Sequence, residues 1–162
     1  MIVLARAVTY AALFIGLVLV FLPARVLSSS GITPPPALGV PQVAGLVMSA
    51  AGAVLALWCV ATFAIVGKGT PAPFDPPRRL VMRGPYRVVR NPMYLGAGLA
   101  LAGAALYYEA GRLAGYAALF LVAMHCFVVW YEEPTLSRTF GEEYAAYCRR
   151  VRRWWPTVYS LI

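Results

Sequence analysis

Four long apolar runs dominate the chain, and short polar segments separate them. The runs cover residues 2–22, 41–66, 92–108 and 113–131. A helix that crosses a bilayer needs about 20 mostly apolar residues, so the run lengths predict four transmembrane helices, the third near the short limit. The pattern therefore predicts an all-α integral membrane protein that forms a single domain over residues 1–162.

The first two runs each allow a second interpretation. Pro23 closes the first run, and Arg6 lies near its start, where a long side chain can snorkel to the interface. A signal peptide is the alternative, although this run is long for one and Arg6 interrupts it early. The second run carries small residues that let helices approach closely, and packing alone is the better explanation for them. These residues are Gly45, Ser49, Gly52, Ala53 and Ala56.

The tail follows a different pattern. Over residues 135–155, apolar side chains recur at steps of three and four, while charged side chains occupy the other faces. This periodicity predicts an amphipathic helix that lies on the cytoplasmic membrane surface or caps the helix bundle. The apolar positions are Leu136, Phe140, Tyr144, Tyr147, Val151 and Trp155.

Charge is sparse and mostly positive. Charged residues make up 12% of the chain and the net charge is +8, whereas a soluble domain is about 25% charged. Most Lys and Arg residues lie between the second and third runs and in the tail, so the positive-inside rule predicts that both termini are cytoplasmic. Such a loop faces anionic lipid and does not require a nucleic-acid partner. Three Cys without a CxxC pair and a single His predict neither a disulfide nor a metal site.

The junction between the basic loop and the third run is the strongest candidate for a binding site. Asn91 is a good N-cap and Pro92 suits the first helical position, so a helix is predicted to start there. Its N-terminus attracts anions, and Arg83, Arg87 and Arg90 lie at the same end. An anionic cofactor or a lipid headgroup fits this arrangement, and a solvated positive-inside loop is the alternative.

Two carboxylates and one imidazole are the remaining polar groups of interest. Glu132 and Glu133 end the fourth run beside hydrocarbon, where a cation from an arginine or a ligand relieves their charge. The alternative is that they precede a tail helix that starts at Pro134, where acids are favourable. His125 lies seven residues before Glu132 and so shares its predicted helix face; it is either functional or bonded to a nearby carbonyl.

Gly96 and Gly98 lie one turn into the third run, beside the basic helix start. Glycines in a transmembrane helix usually indicate close helix packing. They also let a ligand approach the backbone, which keeps a binding role open here.

Together these segments resemble the isoprenylcysteine carboxyl methyltransferase family, whose wider kin include the phospholipid N-methyltransferases. The resemblance covers residues 78–156 and keeps order and spacing, while the first two runs match nothing specific. It rests on Gly84-Pro85-Tyr86, Arg90-Asn91-Pro92-Met93-Tyr94, Gly96, Glu132-Glu133-Pro134-Thr135-Leu136, Phe140-Gly141-Glu142-Glu143-Tyr144, Tyr147, Val151, Arg153 and Pro156.

The resemblance implies a membrane-embedded methyltransferase that uses S-adenosylmethionine, bound between the last transmembrane helices and the C-terminal helix. Two departures matter. Asn91 stands where the family often has histidine, so it cannot act as a base, and Val128 stands where eukaryotic carboxyl methyltransferases have an arginine. The implied cofactor-binding residues are Leu80, Val81, Tyr86, Asn91, Pro92, Met93, Tyr94, Gly96, Gly98 and Glu132. The candidate catalytic residues are Arg90, Asn91, Tyr94, His125, Glu133 and Arg153.

The expected reaction is methyl transfer to the head group of a membrane-embedded amphiphile, a lipid or a lipidated molecule. A carboxylate acceptor needs no base, whereas an amine acceptor can lose its proton to Glu133 or His125. The rival hypothesis is a non-enzymatic membrane protein whose basic loop and tail bind anionic lipid. That hypothesis explains the charge but not the acidic pair or the ordered motifs.

Overall fold

The N-terminal helix runs past the proline that was predicted to end it. The computed structural model describes Thr9, Ala12, Leu13 and residues 15–35, 37–67 and 79–157. A π-helical segment, Ile15–Phe21, continues into α1, Leu22–Ser29. The predicted end at Pro23 is wrong, because Pro23 occupies the first turn of α1, where its missing N–H is not needed. Arg6 lies outside the described residues.

The second and third predicted helices are confirmed as helices. α2 covers Val40–Thr62 and continues as a π-helical turn, Phe63–Gly67. A short 3-10 helix, Gly84–Arg87, precedes α3, Pro92–Tyr107. The proline-rich first half of the basic loop lies outside the described residues.

α2 and α3 pack antiparallel through small residues. A Cβ atom added at Gly45 would lie 2.6 Å from the Gly103 carbonyl oxygen, and one added at Gly52 would lie 2.5 Å from that of Gly96. Between them, the Ser49 hydroxyl donates a hydrogen bond of 3.1 Å to the Ala100 carbonyl. The packing role predicted for the small residues of α2 is therefore confirmed, since only glycine allows this backbone separation.

The last two predicted helices are joined in one helical segment, Gly111–Arg150, which is kinked at Gly141. It consists of α4, Gly111–Phe127, a π-helical turn, Val128–Glu132, and α5, Glu133–Arg150. The predicted break before Pro134 is wrong. The π-helical turn carries the chain into α5, and Pro134 lies in the first turn of α5, where a proline is tolerated.

The tail helix is shorter than predicted and is bent. α5 ends at Arg150, and Val151 is extended, so the predicted helix end at residue 155 is wrong. Inside α5, Gly141 has φ 50° and ψ −122°, a conformation that glycine adopts at little cost. Beyond this kink, Tyr144, Tyr147 and Val151 form a buried cluster.

Two described helices, Val40–Thr62 and Gly111–Arg150, are long and apolar enough to cross a membrane. Only 17% and 22% of the residues in their most apolar stretches are buried, so these stretches mostly face outwards. Val40 is 84% exposed and Trp130 is 77% exposed. Apolar surface of this extent on two helices is suited to contact with lipid.

Candidate active site

Glu132 meets Tyr94 where the π-helical turn passes the start of α3. The buried Tyr94 hydroxyl donates a hydrogen bond of 3.1 Å to Glu132 Oε2. Tyr94 lies in the first turn of α3 and Glu132 closes the π-helical turn, so both elements hold this contact. The contact thus joins a phenol donor of α3 to a carboxylate of the π-helical turn.

The neighbouring carboxylate, Glu133, lies between two arginines. Arg153 binds it side-on, with Nε 2.7 Å from Oε1 and Nη2 2.7 Å from Oε2. Arg90 Nη1 lies 3.2 Å from the same Oε1. The hydrogen bonds to Glu133 raise the pKa of Arg153 above its already high ordinary value, so the guanidinium is always charged. Two arginines thus supply the cation predicted for the acidic pair at Glu133, whereas the partner of Glu132 is a neutral tyrosine.

Arg90 is held by α5 on one side of its guanidinium only. Nη1 donates to Cys148 Sγ at 2.6 Å and contacts the Tyr144 hydroxyl at 3.5 Å. Nε is buried and has no hydrogen-bond acceptor among the described residues. The described part of the chain therefore supplies no acceptor for the Nε donor of this guanidinium.

The segment after α5, residues 151–157, runs back along the loop before α3. We call it the tail segment. The Arg90 amide donates to the Arg152 carbonyl at 2.9 Å, and the Thr157 amide donates to the Val88 carbonyl at 2.8 Å. The Asn91 side chain donates to the Arg153 carbonyl at 3.2 Å. Asn91 occupies the predicted N-cap position before Pro92, but its side chain makes this contact and no cap hydrogen bond.

Tyr86 anchors the 3-10 helix beneath the cluster. Its carbonyl accepts a hydrogen bond of 2.7 Å from the Tyr147 hydroxyl, and its ring packs in a buried group with Cys59 and Val81. Burial, with Cys59 and then Glu132 nearby, holds the pKa of Tyr86 well above its ordinary value, so its hydroxyl stays protonated.

The other sequence-predicted residues are distributed around this cluster. Pro92 is fully buried at the start of α3. Met93 packs against the group formed by Cys59, Val81 and Tyr86, whereas Leu80 packs against the α5 cluster of Tyr144, Tyr147 and Val151.

Helix packing accounts for the positions of both candidate glycines. A Cβ at Gly96 would lie 2.8 Å from the Gly52 carbonyl of α2, and one at Gly98 would lie 2.5 Å from the Leu121 side chain of α4. These contacts correspond to the packing interpretation, and a part for either glycine in binding a cofactor stays a prediction.

His125 has its own partner. The exposed imidazole accepts a hydrogen bond of 3.0 Å at Nδ1 from Trp154 Nε1, and the ring centroids lie 6.0 Å apart. The π-helical turn between His125 and Glu132 alters the helical phase on which the predicted shared face depended. Glu132 instead contacts Tyr94 of α3.

Two contacts of the cluster could not be read from the sequence. The sequence places Tyr144 on the apolar face of the tail helix and indicates no role for Cys148. The available signal for Tyr144 is its hydroxyl, which must find a polar partner when the ring is buried. Nothing in the sequence points Cys148 towards Arg90, since 58 residues separate them.

The sequence matches the family described as phospholipid methyltransferase over residues 40–143, which is more than half of the chain. The chain belongs to the phospholipid methyltransferase family. No curated protein and no solved structure matches it. The matched region includes α2, although the sequence of that helix resembled nothing specific. It ends before Tyr144, so the second half of α5 and the tail segment lie outside it.

Membership confirms the kinship with phospholipid methyltransferases predicted from the motifs and shows a methyltransferase family with lipid substrates. Together with the two long apolar helices, it indicates a membrane protein. The cluster of Tyr94, Glu132, Glu133 and Arg90 lies inside the family region, whereas Arg153, which completes it, does not.

Proposed function

We propose that this member of the phospholipid methyltransferase family transfers a methyl group from S-adenosylmethionine to the head group of a membrane-embedded amphiphile, at an amine or a carboxylate. The observation that carries the proposal is the cluster at the start of α3, where adjacent carboxylates take different partners. Glu132 accepts from Tyr94, and Glu133 is held by Arg90 and Arg153. Such a set of fixed charges suits a reaction in which positioning and electrostatics supply most of the catalysis.

The polar groups of the cluster fit the cofactor. Among the described residues, Glu132 accepts a side-chain hydrogen bond from Tyr94 alone. A carboxylate has about four acceptor sites, so Glu132 keeps capacity for the ammonium or hydroxyl groups of a ligand. The arginines supply the positive charge that the cofactor carboxylate needs.

When bound, the cofactor supplies a methyl group already activated by its sulfonium. The protein then has to orient the acceptor and handle its proton. Tyr94, which is buried and bonded to Glu132, is suited to fix the geometry near the acceptor. For an amine acceptor, Glu133 is the candidate base that belongs to the cluster, whereas His125 is exposed and bonded to Trp154. A carboxylate acceptor needs no base.

The remaining cofactor-binding candidates stay part of the proposal. They lie on the loop before α3 and in its first two turns, next to the Tyr94–Glu132 contact. Six of the eight are buried and two, Leu80 and Met93, are half-buried, which supports a preformed wall rather than a solvated loop. They are Leu80, Val81, Tyr86, Asn91, Pro92, Met93, Gly96 and Gly98.

We place this cluster at the cytoplasmic membrane surface of a four-helix protein with both termini in the cytoplasm. Support comes from the exposed arginines around it, such as Arg83, Arg87 and Arg152, because the positive-inside rule keeps such residues cytoplasmic. A membrane amphiphile can then enter sideways from lipid. Cysteine-accessibility mapping tests this placement, and labelling of a cysteine at Arg87 only from outside the cell overturns it.

The function is tested by two measurements on purified full-length protein in detergent. The first is calorimetric titration with S-adenosylmethionine and S-adenosylhomocysteine, for which we expect micromolar dissociation constants. The second is transfer of radiolabelled methyl groups to extracts of native lipid. If folded protein binds neither ligand but binds anionic lipid, the rival, a non-enzymatic lipid-binding protein, is the better description.

A further inference from the structure

The two arginines that contact Glu133 use their guanidinium groups differently. Arg153 places both donors of its Nε side, Nε and Nη2, on the two oxygens of Glu133 at 2.7 Å. Arg90 reaches the same carboxylate through Nη1 at 3.2 Å. One arginine is therefore saturated side-on, and the other leaves its Nε side unused by Glu133.

The surroundings of Arg90 strengthen this difference. Its contacts with Tyr144 and Cys148 also go to Nη1. Nε is buried without a hydrogen-bond acceptor in the described part of the chain. Buried donors nearly always have a partner in folded proteins, so a buried guanidinium N–H without one requires an explanation.

We infer that the Nε side of Arg90 is the subsite for an oxyanion of a ligand, a carboxylate or a phosphate. This inference rests on the proposed function and identifies which side of the Arg90 guanidinium binds the ligand in that site. Arginine binds carboxylate and phosphate groups through paired N–H donors, and Nε is one of the donors of the side-on pair. The arginine lies directly before α3, whose N-terminus favours negative charge.

The subsite lies beside Glu133, the sequence neighbour of Glu132, so opposite charges on one ligand can be bound together. The side chains of Arg90 and Glu133 are 13% and 18% exposed, but Nε itself is buried, so a ligand oxyanion has to displace the groups that cover it. The cofactor carries an oxyanion and an ammonium group, and so does an amine-bearing phospholipid. The structure therefore assigns the chemistry of the subsite, and binding measurements decide which ligand supplies the oxyanion.

The test uses two pairs of probes that differ in the oxyanion. The first pair is S-adenosylhomocysteine and its decarboxylated analogue; the second is O-dodecyl phosphoethanolamine and dodecylamine. Affinities are measured by microscale thermophoresis on full-length protein in a neutral detergent. R90K keeps a positive charge for Glu133 but has no Nε donor, and R87K is the matched control at an exposed arginine of the same loop.

We expect wild type to bind the oxyanion-bearing member of one pair about tenfold more tightly, the worth of one charge-assisted hydrogen bond. R90K should remove that preference and R87K should keep it. A preference in the first pair shows that the subsite binds the carboxylate of the cofactor. A preference in the second pair shows that it binds the phosphate of an acceptor lipid. R90Q, checked for folding by its thermal transition, replaces R90K if that variant does not fold.

Two results overturn the inference. In one, wild type binds both members of both pairs equally, and this result does not depend on any variant. In the other, the preference persists in R90K or R90Q, so that another group provides it. Failure of the proposed function differs from both results. In that case neither S-adenosylhomocysteine nor its decarboxylated analogue binds, and the second pair of probes still tests the oxyanion subsite.

Discussion

Replacing Glu132 by glutamine is the most direct test of the candidate site. Glutamine keeps the volume of the side chain and can still accept the hydrogen bond from Tyr94, which spans 3.1 Å. The change therefore removes one negative charge and little else. If Glu132 binds the ammonium or hydroxyl groups of the cofactor, the dissociation constant of S-adenosylhomocysteine should rise.

The size of the effect follows from the contacts of Glu132. Among the described residues only Tyr94 donates a side-chain hydrogen bond to it, so a ligand would add charge-assisted bonds that glutamine cannot match. Such a bond contributes roughly 1.5–3 kcal/mol, which corresponds to a loss of affinity of about 10- to 150-fold. Stability should change little or rise, because a carboxylate beside hydrocarbon is costly to the fold.

The assay is calorimetric titration of purified protein in detergent, together with the thermal transition of each variant. Glu143→Gln is the matched control, since Glu143 is an exposed acid of α5. Unchanged affinity for Glu132→Gln with a lowered melting temperature would show that Glu132 is structural, and equal losses in both variants would remove the cofactor site from this position.

Three further changes test the framework of the site. Gly52→Ala should destabilise the protein by about 1–3 kcal/mol, because the new Cβ would lie 2.5 Å from the α3 backbone. Gly115→Ala is the control, because nothing lies within 4 Å of a Cβ at that position. Equal melting temperatures of the two variants would refute the close packing of α2 and α3. Gly141→Ala should cost roughly 1–3 kcal/mol through its backbone conformation, and thermal melting that matches wild type would contradict the kink. Glu133→Gln should destabilise by about 1–3 kcal/mol, since an NH2 donor replaces one of the two oxygens that pair with Arg153. Protease cleavage near residue 153 at the wild-type rate would speak against that anchor.

The sequence by itself determined the helical class and most helix positions. Run lengths identified α3, and α2 together with its π-helical turn, to within one residue at each end, because an apolar helix appears in the sequence as a long uninterrupted apolar stretch. The small residues of α2 were recognised as a packing face, since spacing on a helix depends only on the local repeat. The ordered motifs identified the family.

Local rules failed where a π-helical turn or a distant partner intervened. A proline usually ends a helix, yet Pro23 and Pro134 each lie in the first turn after a π-helical segment, so the helix continues. Asn91 stands at the N-cap, but its side chain contacts the Arg153 carbonyl, 62 residues away, and makes no cap hydrogen bond. Neither outcome is visible in a window of neighbouring residues.

Only the tertiary structure decided which charges meet. The sequence predicted that Glu132 and Glu133 need cations, but not that Tyr94 takes one carboxylate while Arg90 and Arg153 share the other. These contacts join the loop before α3, the π-helical turn and the tail segment, which come together only when the long helix and its kinked end fold back over the loop. Hydropathy and periodicity describe one segment at a time, whereas an ion pair depends on the distance between atoms that lie far apart in the chain.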